Sequence, residues 1–251
     1  MRVKPAGGRR PRANAAAREE KALTGPAEDY LKVIYEIEQA GEAAATNAIA
    51  TQLGVAAASV SGMLHRLSRL GLVSVERYRG ARLTVHGRHI ALQLLRRHRV
   101  IESYLVTRLG FGWDDVHEEA ERLEHAASAE LVERMAEALG HPASDPHGAP
   151  IPTADGRVEE RRLASIADLP VSASARVMRM SDRDPAFLRY LAARGIRPGA
   201  TLRVASREPF DGPITLRLSR SSQTIGSGAA ARVFVETDAR ARKPAPARKK
   251  R

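Results

Sequence analysis

Residues 45–87 read ATNAIATQLGVAAASVSGMLHRLSRLGLVSVERYRGARLTVHG. The spacing predicts a short helix near residues 47–53, a sharp turn at Gly54, and a second helix over about residues 57–70. Leu53, Val60, Leu64 and Leu67 supply the apolar positions of the pair, and Gly71 suits the helix C-terminus. The segment LVSVERYRGARLTV then alternates apolar and polar residues around Arg79-Gly80, as a hairpin does. Two helices meeting at a glycine turn, followed by a hairpin, make a winged helix–turn–helix. Any small α+β domain could contain two helices and a hairpin, but three details favour a DNA reader. Gly54 sits where the helices must meet. The second helix opens with Ala57, Ala58, Ser59, Ser61 and Gly62, small enough to let its N-terminus approach a duplex. Arg66 follows on that helix, and Arg77, Arg79 and Arg82 make the hairpin tip basic, as a wing on phosphates requires.

Working outward, AEDYLKVIYEIEQAG on the N-terminal side puts Tyr30, Ile34 and Ile37 on one helical face. Pro26 suits its first turn and Gly41 its end. On the C-terminal side, HGRHIALQLLRRHRVIESYLVTRLG predicts a long helix with Ile90, Leu94, Ile101, Leu105 and Leu109 as its stripe. An acidic helix follows, HEEAERLEHAASAE over residues 117–130, and then LVERMAEALG. These helices are too few to close a core alone, so a two-fold partner is expected to bury the remainder. HPASDPHGAPIPTADGRVEERRLASIADLP reads as a Pro- and Gly-rich linker. From Ala175 the pattern turns to strands: RVMRMS, TLRVASREPFDGPITLRLS and ARVFVET, with PAFLRYLAARG as a helix between them. That is a small SH3-like β-barrel.

The 251-residue chain carries a net charge of +12 and no cysteine. Disulfide frameworks, zinc fingers and thiolate metal ligands are therefore excluded. The charge excess lies in the ends. Residues 1–21 hold seven Lys/Arg against two acids, and residues 239–251 hold seven against none. Both ends lack apolar periodicity and read as disordered basic tails. The middle is polarised: residues 66–99 hold nine Arg and one acid, and residues 114–145 hold ten acids and two Arg. One region suits phosphate and the next a cation. No apolar run reaches a membrane-spanning length and no leader pattern is visible, so a soluble cytoplasmic protein with no membrane partner is expected.

Glu121, Glu124 and His125 fall at i, i+3 and i+4, on one helical face, with His117 one turn earlier. His98 and Glu102 form an i, i+4 pair on the preceding helix, and Asp29 sits in the first turn of the first helix. Crowded carboxylates repel unless a cation lies among them. The stripe is thus either a solvated acidic face or part of a metal site. Catalytic zinc motifs of the His-Glu-x-x-His kind, or its inverse, require His at position 121, where Glu stands. No triad or phosphate loop appears elsewhere, so no enzyme activity is expected.

In order along the chain, EDYLKVIYEI, VSGMLHRLSRLGLV, YRGARLTVHGR, RRHRVIE, VHEEAERLEH, PHGAPIP, LRYLAARGIRPG and PFDGPITLRL resemble the metal-dependent transcriptional regulators of the diphtheria toxin repressor and manganese transport regulator type. The resemblance covers roughly residues 26–236. It implies a primary regulatory metal site on Asp29, Glu121, Glu124 and His125, and an ancillary site on His98, Glu102 and His117. In the manganese branch His98 also serves the first metal. The iron branch has Met in place of Asp29 and Cys in place of Glu121, so both positions carry the manganese-type residue here. A first-helix Glu that binds a second manganese in some members is Lys32 in this chain. Of two iron-branch ligands from the SH3-like domain, the matching positions are Asp184 and Phe187, and only Asp184 could ligate. His65, His86, His89, His141 and His147 receive no ligand role.

The expected protein is mainly α: a basic tail (1–23), a winged-helix DNA-binding domain (24–86), a helical metal-binding and dimerisation domain (87–150), a linker (151–174), an SH3-like, FeoA-like domain (175–237) and a basic tail (238–251). It is expected to be a homodimer that represses metal-uptake genes on a double-stranded DNA operator. Carboxylate and imidazole donors without sulfur suit Mn(II) and tolerate Fe(II). Metal ligands drawn from two domains would tie them together and favour the recognition-helix spacing that fits two half-sites. Three other readings remain: an Fe(II)-responsive regulator of the same type, a metal-independent DNA-binding protein with a solvated acidic face, and a metal buffer with incidental nucleic-acid affinity.

Overall fold

The computed structural model describes residues 23–76, 79–159, 162–219 and 221–237. Arg77 and nearly all of both basic tails lie outside the described residues. The chain divides into two compact units, one of residues 1–95 with 154–157 and one of residues 96–153 with 158–251.

In the first unit, α1 (Gly25–Gln39) begins with Pro26 in its first turn and buries Leu31, Ile34 and Ile37. Next come α2 (Thr46–Leu53) and α3 (Ala57–Arg69), whose axes bend by 108°. Gly54 makes that corner in the left-handed region at φ 65°, where a side chain would be strained. Val60, Leu64 and Leu67 of α3 are buried beneath it. Strands β1 (Val73–Glu76) and β2 (Gly80–Leu83) pair antiparallel as the hairpin. Ala81 N–H donates to the Ala44 carbonyl at 2.9 Å, which anchors the hairpin to the segment before α2. Leu83 N–H donates to the Glu38 carboxylate at 2.9 Å, tying it to α1 as well. The long helix α4 (Val85–Leu109) starts on a Thr84 cap, whose hydroxyl accepts from Gly87 N–H at 3.0 Å.

The second unit contains the rest of α4, then α5 (Val116–Glu124) and α6 (Ala129–Ala138). Val100, Ile101, Leu105, Val116, Ala120, Val132, Ala136 and Ile151 form one apolar cluster among them. The acidic helix is shorter than its sequence pattern suggests. It stops at Glu124 with His125 as C-cap, and α6 restarts after Ser128, whose side chain accepts from Leu131 N–H. A serine that can cap a new helix outcompetes continuation of the old one.

The same unit holds a six-stranded antiparallel sheet in the order β3-β8-β4-β5-β6-β7, comprising β3 (Ala164–Ser165), β4 (Ser174–Met180), β5 (Thr201–Arg207), β6 (Ile214–Leu218), β7 (Ser222–Ile225) and β8 (Val233–Thr237). Helices α7 (Pro185–Ala192) and α8 (Ser227–Ala230) complete it. Inward residues Val177, Leu202, Val204, Ile214, Leu216 and Val235 alternate with outward polar ones and pack on Leu188, Leu191 and Ile196. Two bulges, at Val177/Arg179 and Val204/Ser206, help the sheet curl. The expected linker is partly structure. β3 pairs with β8, and Ile166 and Leu169 enter the core. A two-residue strand is too short to show alternation, so composition hid it.

Candidate metal centre and nucleic-acid interface

Helix α4 places His98 and Glu102 one turn apart, and α5 places His117, Glu121 and Glu124 opposite them. His98 stands between two sets of carboxylates. Its Nδ1 lies 2.7 Å from Glu124 Oε2, and its Nε2 lies 3.0 Å from Glu102 Oε1 and 3.1 Å from His117 Nδ1. His117 Nδ1 is also 3.1 Å from Glu102 Oε1. His117 Nε2 is 3.9 Å from Glu121 Oε1. Two groups of donor atoms therefore share His98, one with Glu121 and Glu124, the other with Glu102 and His117. Each is compact enough to surround one ion. A neutral imidazole has one lone pair, so His98 can serve only one of them at a time.

A further group lies on the far side of Glu102: Asp145, His147 and Asp182 converge there with its second oxygen. Glu102 Oε2, Asp145 Oδ2 and His147 Nδ1 are all buried and have no hydrogen-bond partner. Orphaned buried polar atoms are costly, and three of them around one point are what a cation would satisfy. The local chain explains the aim of each. Asp145 Oδ1 accepts from the N–H groups of His147 (2.8 Å) and Ala149 (2.9 Å), which leaves Oδ2 without a hydrogen bond, 3.6 Å from Arg99 Nε. His147 Nε2 lies 2.6 Å from the Trp113 carbonyl, an acceptor only. That nitrogen must carry the proton, so the neutral ring presents its Nδ1 lone pair to Glu102, the arrangement usual for a ligating histidine. Gly148, at φ 87°, lets this loop press on β4. A Cβ there would lie 1.8 Å from the Met178 carbonyl oxygen. Met180 N–H donates to the His147 carbonyl at 3.1 Å, and Arg99 donates to the Pro150 carbonyl at 2.6 Å.

The electrostatics fit a cation-seeking centre. Burial opposes the charge of His98, but the Glu102 and Glu124 carboxylates outweigh it and lift the imidazole to about 10. His147 follows the same balance, with Glu102 and Asp145 raising it to about 9 against burial. Burial also works against the Glu102 anion, yet His98, His117 and His147 hold its carboxyl well below the usual range. Asp145 is pushed up to about 6 by burial, with Glu102 adding to the shift and Arg99 opposing it. Protons on the histidines thus stand where metal charge would otherwise sit.

His125, at the end of α5, has its Nε2 3.8 Å from Glu124 Oε1. Asp29 lies in the first unit, with its carboxylate 3.4 Å from Lys32 Nζ. Asp184 is occupied as the N-cap of α7, accepting from Phe187 N–H at 3.1 Å, and its Oδ2 is 3.5 Å from Arg232. The backbone N–H of Phe187 is the main cause that holds its carboxyl below the usual carboxylate range. Asp182, two residues earlier, joins the Glu102 group instead. Sequence spacing missed Asp145, His147 and Asp182. The only trace was an Asp-x-His pair inside a proline-rich stretch, and nothing in the chain linked it to Asp182, 35 residues on.

On the first unit, Ala57, Ala58, Ser59, Ser61 and Gly62 are exposed on α3, while Arg66 is half-buried. No side chain caps the start of this helix, where Ser59 N–H donates to the Ala56 carbonyl at 3.0 Å. An uncapped helix N-terminus attracts phosphate. Arg79 and Arg82 of the hairpin are exposed, and Arg79 pairs only loosely with Glu76 at 3.7 Å.

Comparison with known proteins agrees with this layout. Residues 22–81 match the N-terminal DNA-binding domain of the iron-dependent repressors, residues 84–153 match their metal-binding and dimerisation domain, and residues 164–237 match the FeoA domain. The chain is 34% identical to the iron-dependent repressor IdeR of Mycobacterium leprae (strain TN) over 155 residues, 59% of this chain and 67% of that protein. It is 30% identical to the diphtheria toxin repressor of Corynebacterium jeikeium (strain K411) over 209 residues, 74% of this chain and 87% of that one. Among solved structures, a manganese-dependent transcriptional repressor in complex with manganese superposes with a TM-score of 0.80 at 39% identity, over 84% of this chain and 99% of that one. A winged reader, a carboxylate–imidazole centre and an SH3-like sheet in this order place the chain in the iron-dependent repressor family that includes the diphtheria toxin repressor: it is a metal-dependent DNA-binding transcriptional repressor, not an enzyme.

Proposed function

We propose that this protein is a Mn(II)-activated, homodimeric repressor of metal-uptake genes, acting in the cytoplasm on a two-half-site operator. The observation that carries the choice of metal is the donor set. Among the clustered side chains every donor is a carboxylate oxygen or an imidazole nitrogen, and the chain has no thiol to offer. Hard oxygen donors favour Mn(II), and the manganese complex among similar structures supports the same choice. Bound metal would supply positive charge that neutralises the crowded carboxylates. His98, Glu121, Glu124 and His125 are the proposed holders of the first ion, with Asp29 added as the family resemblance implies. Glu102 is the proposed ligand of a second ion, drawn with Asp145, His147 and Asp182 or with His117. Leu109, Phe111, Leu123 and Leu131 are exposed on the helical part of the second unit, which supports a second copy covering them.

An anaerobic operator titration in chelator, in Mn(II) and in Fe(II) tests the reading. We expect Mn(II) to tighten specific binding at least about tenfold, roughly 1.4 kcal/mol of coupling. Equal affinity in chelator and in excess metal would remove metal regulation from this chain. The iron-dependent repressors among its relatives support a second reading, in which Fe(II) is the activator. Glu121→Cys separates the two. A thiolate in place of a hard carboxylate should abolish activation by Mn(II) while keeping or improving that by Fe(II) or Co(II). Glu121→Ala should lose the Mn(II) response with no such gain. An unchanged response in Glu121→Ala would return this residue to a solvated helix face.

A further inference from the structure

The SH3-like sheet carries a row of charge that its fold does not use. Residues 175–237 contain eleven Arg and five acids. Most of these arginines are engaged. Arg189 reaches Asp115 at 3.1 Å, Arg207 donates to the Ala167 and Leu169 carbonyls, and Arg194 and Arg232 lie over the Tyr190 and Phe187 rings. Arg176, Arg203 and Arg217 differ. They project from the outer face of β4, β5 and β6, opposite to the buried residues of the same strands. None of their side chains has a hydrogen bond or ion pair among the described residues. Arg203 stands directly across from Arg217 on the neighbouring strand. Directly opposed side chains have Cβ atoms about 5 Å apart, and like charges there destabilise a sheet. Ser174 stands across from Arg203 on the other side, and Ser222 across from Arg217, so the row runs Ser–Arg–Arg–Ser over four strands. Arg176 lies across from Thr201, two residues from Arg203. Glu236 faces Arg176 from β8 but forms no ion pair with it.

We propose that this outer face of the SH3-like sheet is a second contact surface for the phosphate backbone of duplex DNA, separate from the winged helix. Paired guanidiniums flanked by hydroxyls match phosphodiester oxygens, which accept from both. Unpartnered like charges kept side by side are relieved by a polyanion. The sheet's last strand leads at Thr237 into residues 239–251, with seven Lys/Arg and no acid, so the basic character continues along the chain. The chain also carries its own DNA-binding domain, which holds duplex at high local concentration.

The inference rests on the DNA-binding reading, and the test separates the two. The full-length protein is titrated with duplex, operator and non-operator, across salt concentrations in Mn(II). Arg203→Ser/Arg217→Ser is compared with Arg189→Ser/Arg194→Ser, which removes equal charge from the same domain. Removing two opposed, partnerless charges should leave the melting temperature unchanged or slightly raised. The slope of log K against log salt should fall by about 1.8 in magnitude in the first double variant, roughly 0.9 per lost phosphate contact. The control should keep the slope of the natural protein. An unchanged slope in the first variant, an equal loss in both variants, or displacement of DNA from this face by polyglutamate as readily as by free duplex would each overturn the surface. If the natural protein fails to bind operator at all, it is the DNA-binding reading that falls.

Discussion

His98 concentrates the chemistry of the metal centre in one ring. Its two nitrogens face Glu124 and Glu102 at 2.7 and 3.0 Å, and only an imidazolium can donate to both. With its pKa raised from 6.5 to about 10, the folded metal-free protein holds this proton more tightly than the unfolded chain. Its stabilisation is therefore complete below about pH 6.5 and is lost as pH rises through 10. A chelator-treated sample should show a falling melting temperature across that window. Ligation needs the proton gone, so Mn(II) affinity should move the other way and rise up to about tenfold per pH unit for each displaced proton. Equilibrium dialysis at pH 6.5, 7.5 and 8.5 checks this, and a flat affinity would mean that no imidazole is displaced of its proton. Glu102→Gln keeps the shape and removes the carboxylate that faces His98 through one oxygen and His147 through the other. It should reduce the number of tightly bound Mn(II) ions per chain, read by electron paramagnetic resonance. Unaltered stoichiometry would exclude Glu102 as a ligand.

At the scale of elements, the Asp145–His147 loop is held in place by its neighbours rather than by its own periodicity. Gly148 has both a left-handed backbone and no room for a side chain, since the Met178 carbonyl would sit 1.8 Å from a Cβ. Gly148→Ala should destabilise the protein by about 2 kcal/mol or more through strain and displacement of the loop from β4. It should also weaken metal binding at Glu102 while sparing Glu121 and Glu124. Denaturant melts with and without Mn(II) measure both effects, and a neutral outcome would mean the loop has slack. The hairpin gives a contrasting case. Arg79 is exposed and only loosely paired, so Arg79→Ala should leave stability alone. It should weaken binding to all duplexes and lower the salt slope by about 0.9, as loss of one phosphate contact does. Altered preference at a single base position would instead make Arg79 a base reader.

For the whole molecule, assembly governs how these parts become a regulator. Leu109 and Leu131 are 60% and 45% exposed, an unusual position for large apolar residues in a helical domain. Leu109→Lys/Leu131→Lys should shift the protein from dimer to monomer in sedimentation velocity and cost operator affinity, because a two-half-site operator then binds one reader at a time. Metal binding by the isolated chain should survive, since His98, Glu102, His117, Glu121 and Glu124 all belong to one unit. A dimer that persists in this variant would place the interface on another surface.

The reader and much of the metal chemistry were legible in the sequence because both are local. A glycine corner, a 3.6-residue stripe and a basic hairpin specify the winged helix within 43 residues (45–87). The i, i+3 and i+4 spacings on α4 and α5 put His98 with Glu102, and Glu121 with Glu124, before any packing is known. Where the acidic helix ends was less legible, because Ser128 starts a new helix and turns His125 into a cap. Only the tertiary structure joins Glu102 to Asp145, His147 and Asp182. Those residues come from a helix, a proline-rich loop and the segment before α7, and no periodicity relates them. Their shared position follows from burial. The loop is fastened to α4 by Arg99 and to β4 by Met180, so three polar atoms that water would otherwise satisfy are left facing one another.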